Sequence, residues 1–277
     1  MRDEEEATDG PPDPGLDPER SPGFGEEPAG LEDIEVSRDD VTIGEATPEE
    51  LTSSDTDPVA GEEVETLLAH LADGSSIERR RAALALAERS ATPTVVQALV
   101  TAGRTDDDAD VRQFAAEALG KLGGDEAAAG VLAITRDEDP WVRSEAIVAL
   151  DRLDRAAHED RLVEALDDDH HAVRRNAAIS LFKHRGEDAL DLLLDQVDDP
   201  SERVREWAAH LLGGVADERA EDALRDLAEN DPVELVRTTA ARSLQTDAGS
   251  FRRQFTGALD DSPSLPGEDT LNRRPDL

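Results

Sequence analysis

The stretch Asp106-Asp-Asp-Ala-Asp-Val-Arg-Gln-Phe-Ala-Ala-Glu-Ala-Leu-Gly-Lys-Leu-Gly123 decides the fold. Val111 stands one position before Arg112, and Ala115-Ala116 and Leu119 stand three, four and seven positions after it. Those offsets share one helical face, so the segment reads as an amphipathic helix of about fifteen residues entered through an acidic turn. The alanine pair at its centre implies close approach of another backbone.

The same pattern returns along the chain. An Asp precedes an Arg by six residues at Asp73/Arg79, Asp106/Arg112, Asp137/Arg143, Asp168/Arg174, Asp199/Arg205 and Asp231/Arg237. Successive Arg residues lie 33, 31, 31, 31 and 32 positions apart. This is an internal period of about six units with almost no slippage, the signature of a stacked repeat array. The position before the Arg is Val in five units and Glu78 in the first. Seven residues after it stands Leu86, Leu119, Leu150, Leu181, Leu212 or Leu244. The helix before it in each unit is richer in Leu and Val, as at Val95, Val96 and Leu99 or Leu192-Leu-Leu194. Each unit is therefore a helix hairpin whose apolar face stays open until a neighbour stacks on it. The expected fold is an all-α solenoid of about six two-helix repeats of about 31 residues.

Composition divides the chain into three regions. Residues 1–61 carry twenty acidic residues against three Arg and more than half of the prolines, the composition of a disordered acidic arm. Its short apolar islands, Leu31–Val36 and Val41–Ile43, could fold on a partner. Residues 62–248 hold the array. Residues 249–277 form a polar tail in which Phe251, Phe255 and Leu259 are spaced for one short helix capping the last repeat.

The net charge of −38 repels nucleic acid, and residues 62–248 alone hold 42 acidic against 22 basic residues. The absence of Cys removes disulfides, thiol nucleophiles and thiolate metal sites, and is natural to the cytoplasm. The longest mostly apolar run, Ala127–Ile134, falls far short of the ~20 residues that span a bilayer. All 29 basic residues but Lys121 and Lys183 are Arg. With the acidity, this resembles the proteins of salt-adapted archaeal cells, where molar salt shrinks the Debye length to about 3 Å and screens carboxylate repulsion.

The fixed Asp-to-Arg separation places the Asp in the turn between the hairpin's helices and the Arg about one turn inside the second helix. A guanidinium with five donors can bond a carboxylate and turn carbonyls together, so these twelve residues read as a structural ladder that locks each turn and ties it to the next. At this point the chain resembles the HEAT-repeat family, in particular its phycobilisome-lyase-like subfamily, over residues 62–247. The resemblance implies a right-handed superhelix with the second helices on the concave face.

Enzymatic alternatives find little support in the residues. Deoxyhypusine hydroxylase, a HEAT-like protein, holds two irons through several His-Glu dipeptides, whereas here only His158-Glu159 has that form, and one pair cannot cage a metal pair. Adjacent His170-His171 would point about 100° apart on a helix and read as solvated turn residues. Nothing identifies a bilin pocket. Gly123-Gly124 and Gly213-Gly214 read as helix stops, not phosphate loops. No catalytic residue, cofactor or metal site is expected.

Nine residues after the repeat Arg, Lys121, Arg152 and Lys183 fall in one column, which in a stack forms a basic strip. Beside it, the positions two and five after the Arg place Phe114, Val148, Asn176, Ile179, Trp207 and His210 on one ridge suited to an interface centre. The resemblance offers a second explanation, because Lys in that column belongs to the family's own pattern. The expected function is a cytoplasmic, monomeric, non-enzymatic scaffold or adaptor that grips an acidic protein or peptide on the concave face, with the N-terminal arm competing for that surface. The alternative is an accessory or assembly subunit of an enzyme or signalling complex, such as a taxis complex.

Overall fold

The computed structural model describes residue 59 and residues 61–255. Most of the acidic arm, Leu259 and the rest of the C-terminal tail lie outside them. The described residues are helical, with no strand among them. They form six hairpins: α1 (Val64–Asp73) with α2 (Ser76–Leu86), α3 (Pro93–Thr105) with α4 (Ala109–Leu122), and α5 (Asp125–Ile134) with α6 (Pro140–Asp154). There follow α7 (Glu159–Glu164) with α8 (His171–Arg185), α9 (Leu190–Gln196) with α10 (Glu202–Leu212), α11 (Glu218–Asn230) with α12 (Glu234–Ser243), and a last short helix α13 (Ala248–Phe255). The first helices of the fourth and fifth units are short because 3₁₀ turns, Ala165–Asp167 and Gly186–Ala189, take over part of their length.

Small residues set the spacing of the second helices. A β-carbon on Gly120 of α4 would lie 2.9 Å from the Cα of Ala149 on α6, and one on Gly213, the C-cap of α10, would lie 3.0 Å from the Cβ of Ser243 on α12. A position eight after the repeat Arg thus packs on the position six after it in the next unit. Between α6 and α8 the same register brings Asp151 and Ser180 into a 2.7 Å hydrogen bond. First helices interlock through glycines as well, Ile134 filling the space beside Gly103 and Val100 the space beside Gly130. The second helices of successive units pack on one another more extensively than the first helices do, which puts the second-helix layer on the inner side of the stack. Their core positions are closed: the Leu seven after the Arg is 0–1% exposed from Leu86 to Leu212. Leu244 breaks the series at 36%, with no further repeat stacked on the sixth unit among the described residues.

The turns are built by the Asp and Arg pairs, and each Asp has three tasks. Its Oδ1 accepts the N–H two residues on, closing an Asx turn: Asp106 from Asp108, Asp137 from Asp139, Asp168 from His170, Asp199 from Ser201 and Asp231 from Val233, at 2.8–3.0 Å. Its carbonyl accepts from its own unit's Arg six residues later, as from Arg112, Arg143, Arg174, Arg205 and Arg237. Its carboxylate takes Nε and Nη2 of the preceding unit's Arg. Those rungs are Arg79–Asp106, Arg112–Asp137, Arg143–Asp168, Arg174–Asp199 and Arg205–Asp231, at 2.7–3.2 Å. These planar two-point pairs are the strong form of charge-assisted hydrogen bond.

Two members of the sequence pattern fall outside the rungs. Asp73 has no unit before it, and Arg79 donates instead to the carbonyl of Gly74. Arg237 holds the Asp231 carbonyl at 2.7 Å but reaches no carboxylate among the described residues, which include no seventh turn of this kind. In the first unit, Glu78 stands where the others have Val because it completes a capping box with Ser75. Val59, ahead of the first helix, is also buried in the core.

Candidate partner-binding face

The second helices carry all nine residues that the sequence assigns to a partner-binding ridge, and their side chains do different things. Phe114 on α4, Ile179 on α8 and Trp207 on α10 are half-buried, each lying with one side against the core. Val148 and Ile179 face each other across one small depression between α6 and α8, lined also by Asp151, Asn176, Ser180 and Lys183. Asn176 is anchored there: its amide donates to the hydroxyl of the buried Ser144 at 2.9 Å.

The basic column is not a free cationic strip. Lys121 lies 3.2 Å from Glu117 and 3.5 Å from Glu88, so its charge is met by its own and the preceding second helix. Lys183 donates to Asp151 at 2.9 Å, and Arg155 reaches the same carboxylate. Burial opposes ionisation of Asp151, but the hydrogen bonds of Ser180 and Lys183 and the charges of Lys183 and Arg155 outweigh it and hold the carboxyl below its ordinary range. Arg152 is exposed and forms no ion pair with a described residue. A strip of three like charges waiting for an acidic ligand is therefore corrected to one exposed guanidinium flanked by neutralised lysines. The reason lies in the register: the columns eight and nine residues after the Arg carry acids as well as bases, and stacking brings them together.

Glu145 is a residue the sequence reading missed. It occupies on α6 the position that Phe114 and Asn176 hold in the units on either side. Burial first, and the nearby Glu117 carboxylate second, push its carboxyl above the usual range, against the pull of Arg152 and Lys121. Its signal in the sequence was an acidic residue in a column that holds Phe114, Asn176 and Trp207 in the second, fourth and fifth units. Asp151 and Ser180 had a similar signal: polar residues in adjacent units at facing positions that hold Gly120 and Ala149 one unit earlier.

At the C-terminal half of the face the ridge is already covered. Trp207 and His210 meet edge to face at 5.4 Å, and Phe251 of α13 meets His210 at 4.9 Å. Phe255 stacks on Phe251 at 5.3 Å and meets Phe182 of α8 at 5.5 Å. The expected helix around Phe251 and Phe255 forms, but its rings dock on the fourth and fifth units instead of capping the last. Gly213-Gly214 permits this: neither has positive φ, and a β-carbon on Gly214 would lie 2.5 Å from Phe251 and 2.6 Å from Phe182. Gly213 ends α10 as its C-cap, and close approach is a further role of the pair, whereas Gly123 and Gly124 take φ of 76° and 92°. Burial first, and the charge of Arg242 after it, lower the pKa of His210 despite Glu206.

The remaining histidines follow local geometry. His170 caps α8 with an extended backbone, φ −99° and ψ 127°, so the helical angle between neighbours does not apply to it. Its ring lies 4.5 Å from that of His171, and Trp141 meets both edge-on. Burial first, then His171, holds His170 below its ordinary value. In the His158-Glu159 dipeptide, the Glu159 carboxylate is bound by Arg185. Among the described residues no three His, Cys, Asp or Glu side chains form a group able to hold a metal, and no helix is long and apolar enough to cross a membrane.

Fold and face together define a helical repeat solenoid with an inner ridge of mixed apolar and charged side chains. The model of HEAT repeats matches residues 64–151, 129–212 and 159–245, and the chain belongs to that family. Among solved structures, the Escherichia coli protein YibA is similar at 20% identity and a TM-score of 0.55, over 83% of this chain and 93% of that one. The complex of CpcE and CpcF of phycocyanin lyase from a Nostoc species is similar at 22% identity and a TM-score of 0.50, over 76% of this chain and 95% of that one. Both likenesses concern the fold. No curated protein matches the chain.

Proposed function

We propose that the chain is a non-catalytic protein-binding scaffold of the cytoplasm whose inner face, over the second to fourth units, holds a segment of a partner protein. The observation that carries this reading is the half-buried row of Phe114, Val148 and Ile179, interrupted by Glu145 with its raised carboxyl and the exposed Arg152. Apolar anchors flanked by unmatched opposite charges are what the centre and rim of a protein interface present. The charge of the whole chain disfavours nucleic acid, and the pairing of Lys121 and Lys183 weakens the case for a strongly acidic ligand. A segment carrying both signs of charge beside an apolar residue fits better. Its arginine or lysine would lie over Glu145 and its carboxylate over Arg152.

Affinity purification of the full chain in molar salt, with mass spectrometry, tests this. Proteins retained by the native chain should be lost by Ile179→Asp and by Phe114→Asp while the helical signal and melting midpoint stay within a few degrees. Equal recovery on native and variant chains overturns the reading.

A further inference from the structure

Helix α13 is in the wrong place to be a simple end cap. A terminal repeat of a solenoid needs its outer face sealed, yet Leu244, at the core position of the last unit, is 36% exposed, and Leu235 in the first turn of α12 is 43% exposed. The chain instead turns back, and α13 sits on the inner side of the two preceding units. There Phe251 fills the space left by Gly214, between the rings of Phe182 and His210, and Phe255 packs on Phe182 one turn further on. Between them Arg252 donates to the Gly214 carbonyl at 2.6 Å and to the Glu187 carboxylate at 2.5 Å. Eight residues cannot hold a helix in water by themselves, so α13 owes its form to this seat.

We propose that Phe182, His210 and Gly214, with Glu187 at the rim, form a docking site for a partner's short helix that carries two aromatic side chains one turn apart and an arginine between them. Helix α13 is the exchangeable resident of that site. The inference deepens the scaffold reading by giving a second segment of the inner face an occupant of stated chemistry. The resident itself shows what the site selects. The missing β-carbon of Gly214 admits a ring edge, aromatic faces on both sides favour edge-to-face partners, and a carboxylate and a helix-end carbonyl converge on one guanidinium. Tethering keeps the local concentration of α13 high, so an incoming helix must compete with it.

The probe is a fluorescein-labelled peptide of residues 247–257, followed by anisotropy in molar potassium chloride on the full chain. Phe251→Ala/Phe255→Ala empties the site and should bind the peptide at least ten times more tightly than the native chain. Adding Gly214→Leu to that variant should abolish binding. Equal affinity of native and emptied chains, or binding that survives Gly214→Leu, overturns the proposal. If the emptied chain fails to fold, Arg252→Glu, which opposes Glu187 and keeps both rings, serves in its place. It should speed tryptic cleavage after Arg253 at least five-fold, and an unchanged rate shows α13 to be a fixed part of the fold. Sedimentation of the native chain as a dimer through exchanged α13 helices would assign the site to a second copy and overturn the partner reading. The peptide probe needs no identified partner, so its outcome is independent of the Ile179→Asp purification.

Discussion

The guanidinium of Arg143 gives its Nε and Nη2 to the carboxylate of Asp168, which belongs to the next repeat, at 2.9 and 2.8 Å, while its Nη1 holds the carbonyl of its own repeat's Asp137 at 3.1 Å. One side chain thus closes its own turn and clamps the following one. Both partners are nearly out of water, at 13% and 11% side-chain exposure. Loss of the Arg therefore leaves a carboxylate with little solvent to turn to.

Arg143→Ala should accordingly cost about 2–4 kcal/mol, the scale for stranding one member of a buried pair. Arg174→Ala should cost as much, since it binds Asp199 at 2.7 Å in the same way. Arg237, with a carbonyl but no described carboxylate, supplies the control: Arg237→Ala should stay below about 1 kcal/mol. Urea midpoints of the three variants check this, and equal losses at Arg143 and Arg237 would show the rungs to be worth no more than a surface bridge.

Acid should weaken the array through two of the rung carboxylates, Asp168 and Asp231. At Asp168, burial works against the charged form, but the hydrogen bonds of Arg143 and the His170 N–H overcome it and leave the pKa lowered. Asp231 is lowered likewise against its burial by Arg205 and the Val233 N–H. A lowered folded pKa means that the unfolded chain binds protons first as the pH falls. The contribution is therefore complete above the ordinary carboxylate range, about pH 5, and is lost as the pH drops through the folded values. Asp231→Asn should lower stability at neutral pH and flatten the acid limb of a stability–pH curve. A parallel, merely displaced limb would assign acid unfolding to other groups.

Glu145 behaves with the opposite sign. Its carboxyl is raised, by burial and then by Glu117, so ionisation costs the fold and the folded chain holds its proton longer than the unfolded one. Glu145→Gln should raise the neutral-pH midpoint by up to about 1 kcal/mol, and the gain should vanish below the carboxylate range. Loss of stability on this change would mean that the carboxylate has a structural partner after all.

Much of this was legible in the sequence for one physical reason: a repeat stacked in register makes every column report the same environment. Six copies of Arg and Leu, with an apolar pair between them in every unit and Val before the Arg in five, left no room for another fold, and the ten residues of the rungs were visible among twelve aligned letters. What the alignment of columns did not reveal was the pairing between them. Lys121 and Lys183 looked like a basic strip because each was compared with its own column, whereas Lys183 meets Asp151 from the column beside it. Departures from periodicity were equally opaque. Phe182 breaks a column of mostly small residues, and only the return of α13 onto Gly214 shows what it packs against.

Gly120 provides the sharpest test of the packing rule, since two effects of similar size oppose each other there. In a helix interior, Gly→Ala gains about 1 kcal/mol from propensity. The new β-carbon would lie 2.9 Å from both the Cα and the Cβ of Ala149, and backbone cannot swing aside as a flexible side chain would. Overpacking of this kind costs about 1–3 kcal/mol, so Gly120→Ala should destabilise on balance. Ala149→Gly removes one of the two clashing atoms, so the double variant should be less destabilised than the sum of the single changes, a coupling readable in a double-mutant cycle. A stabilising Gly120→Ala would mean that α4 and α6 are free to separate, and that small residues do not set the spacing of the second helices.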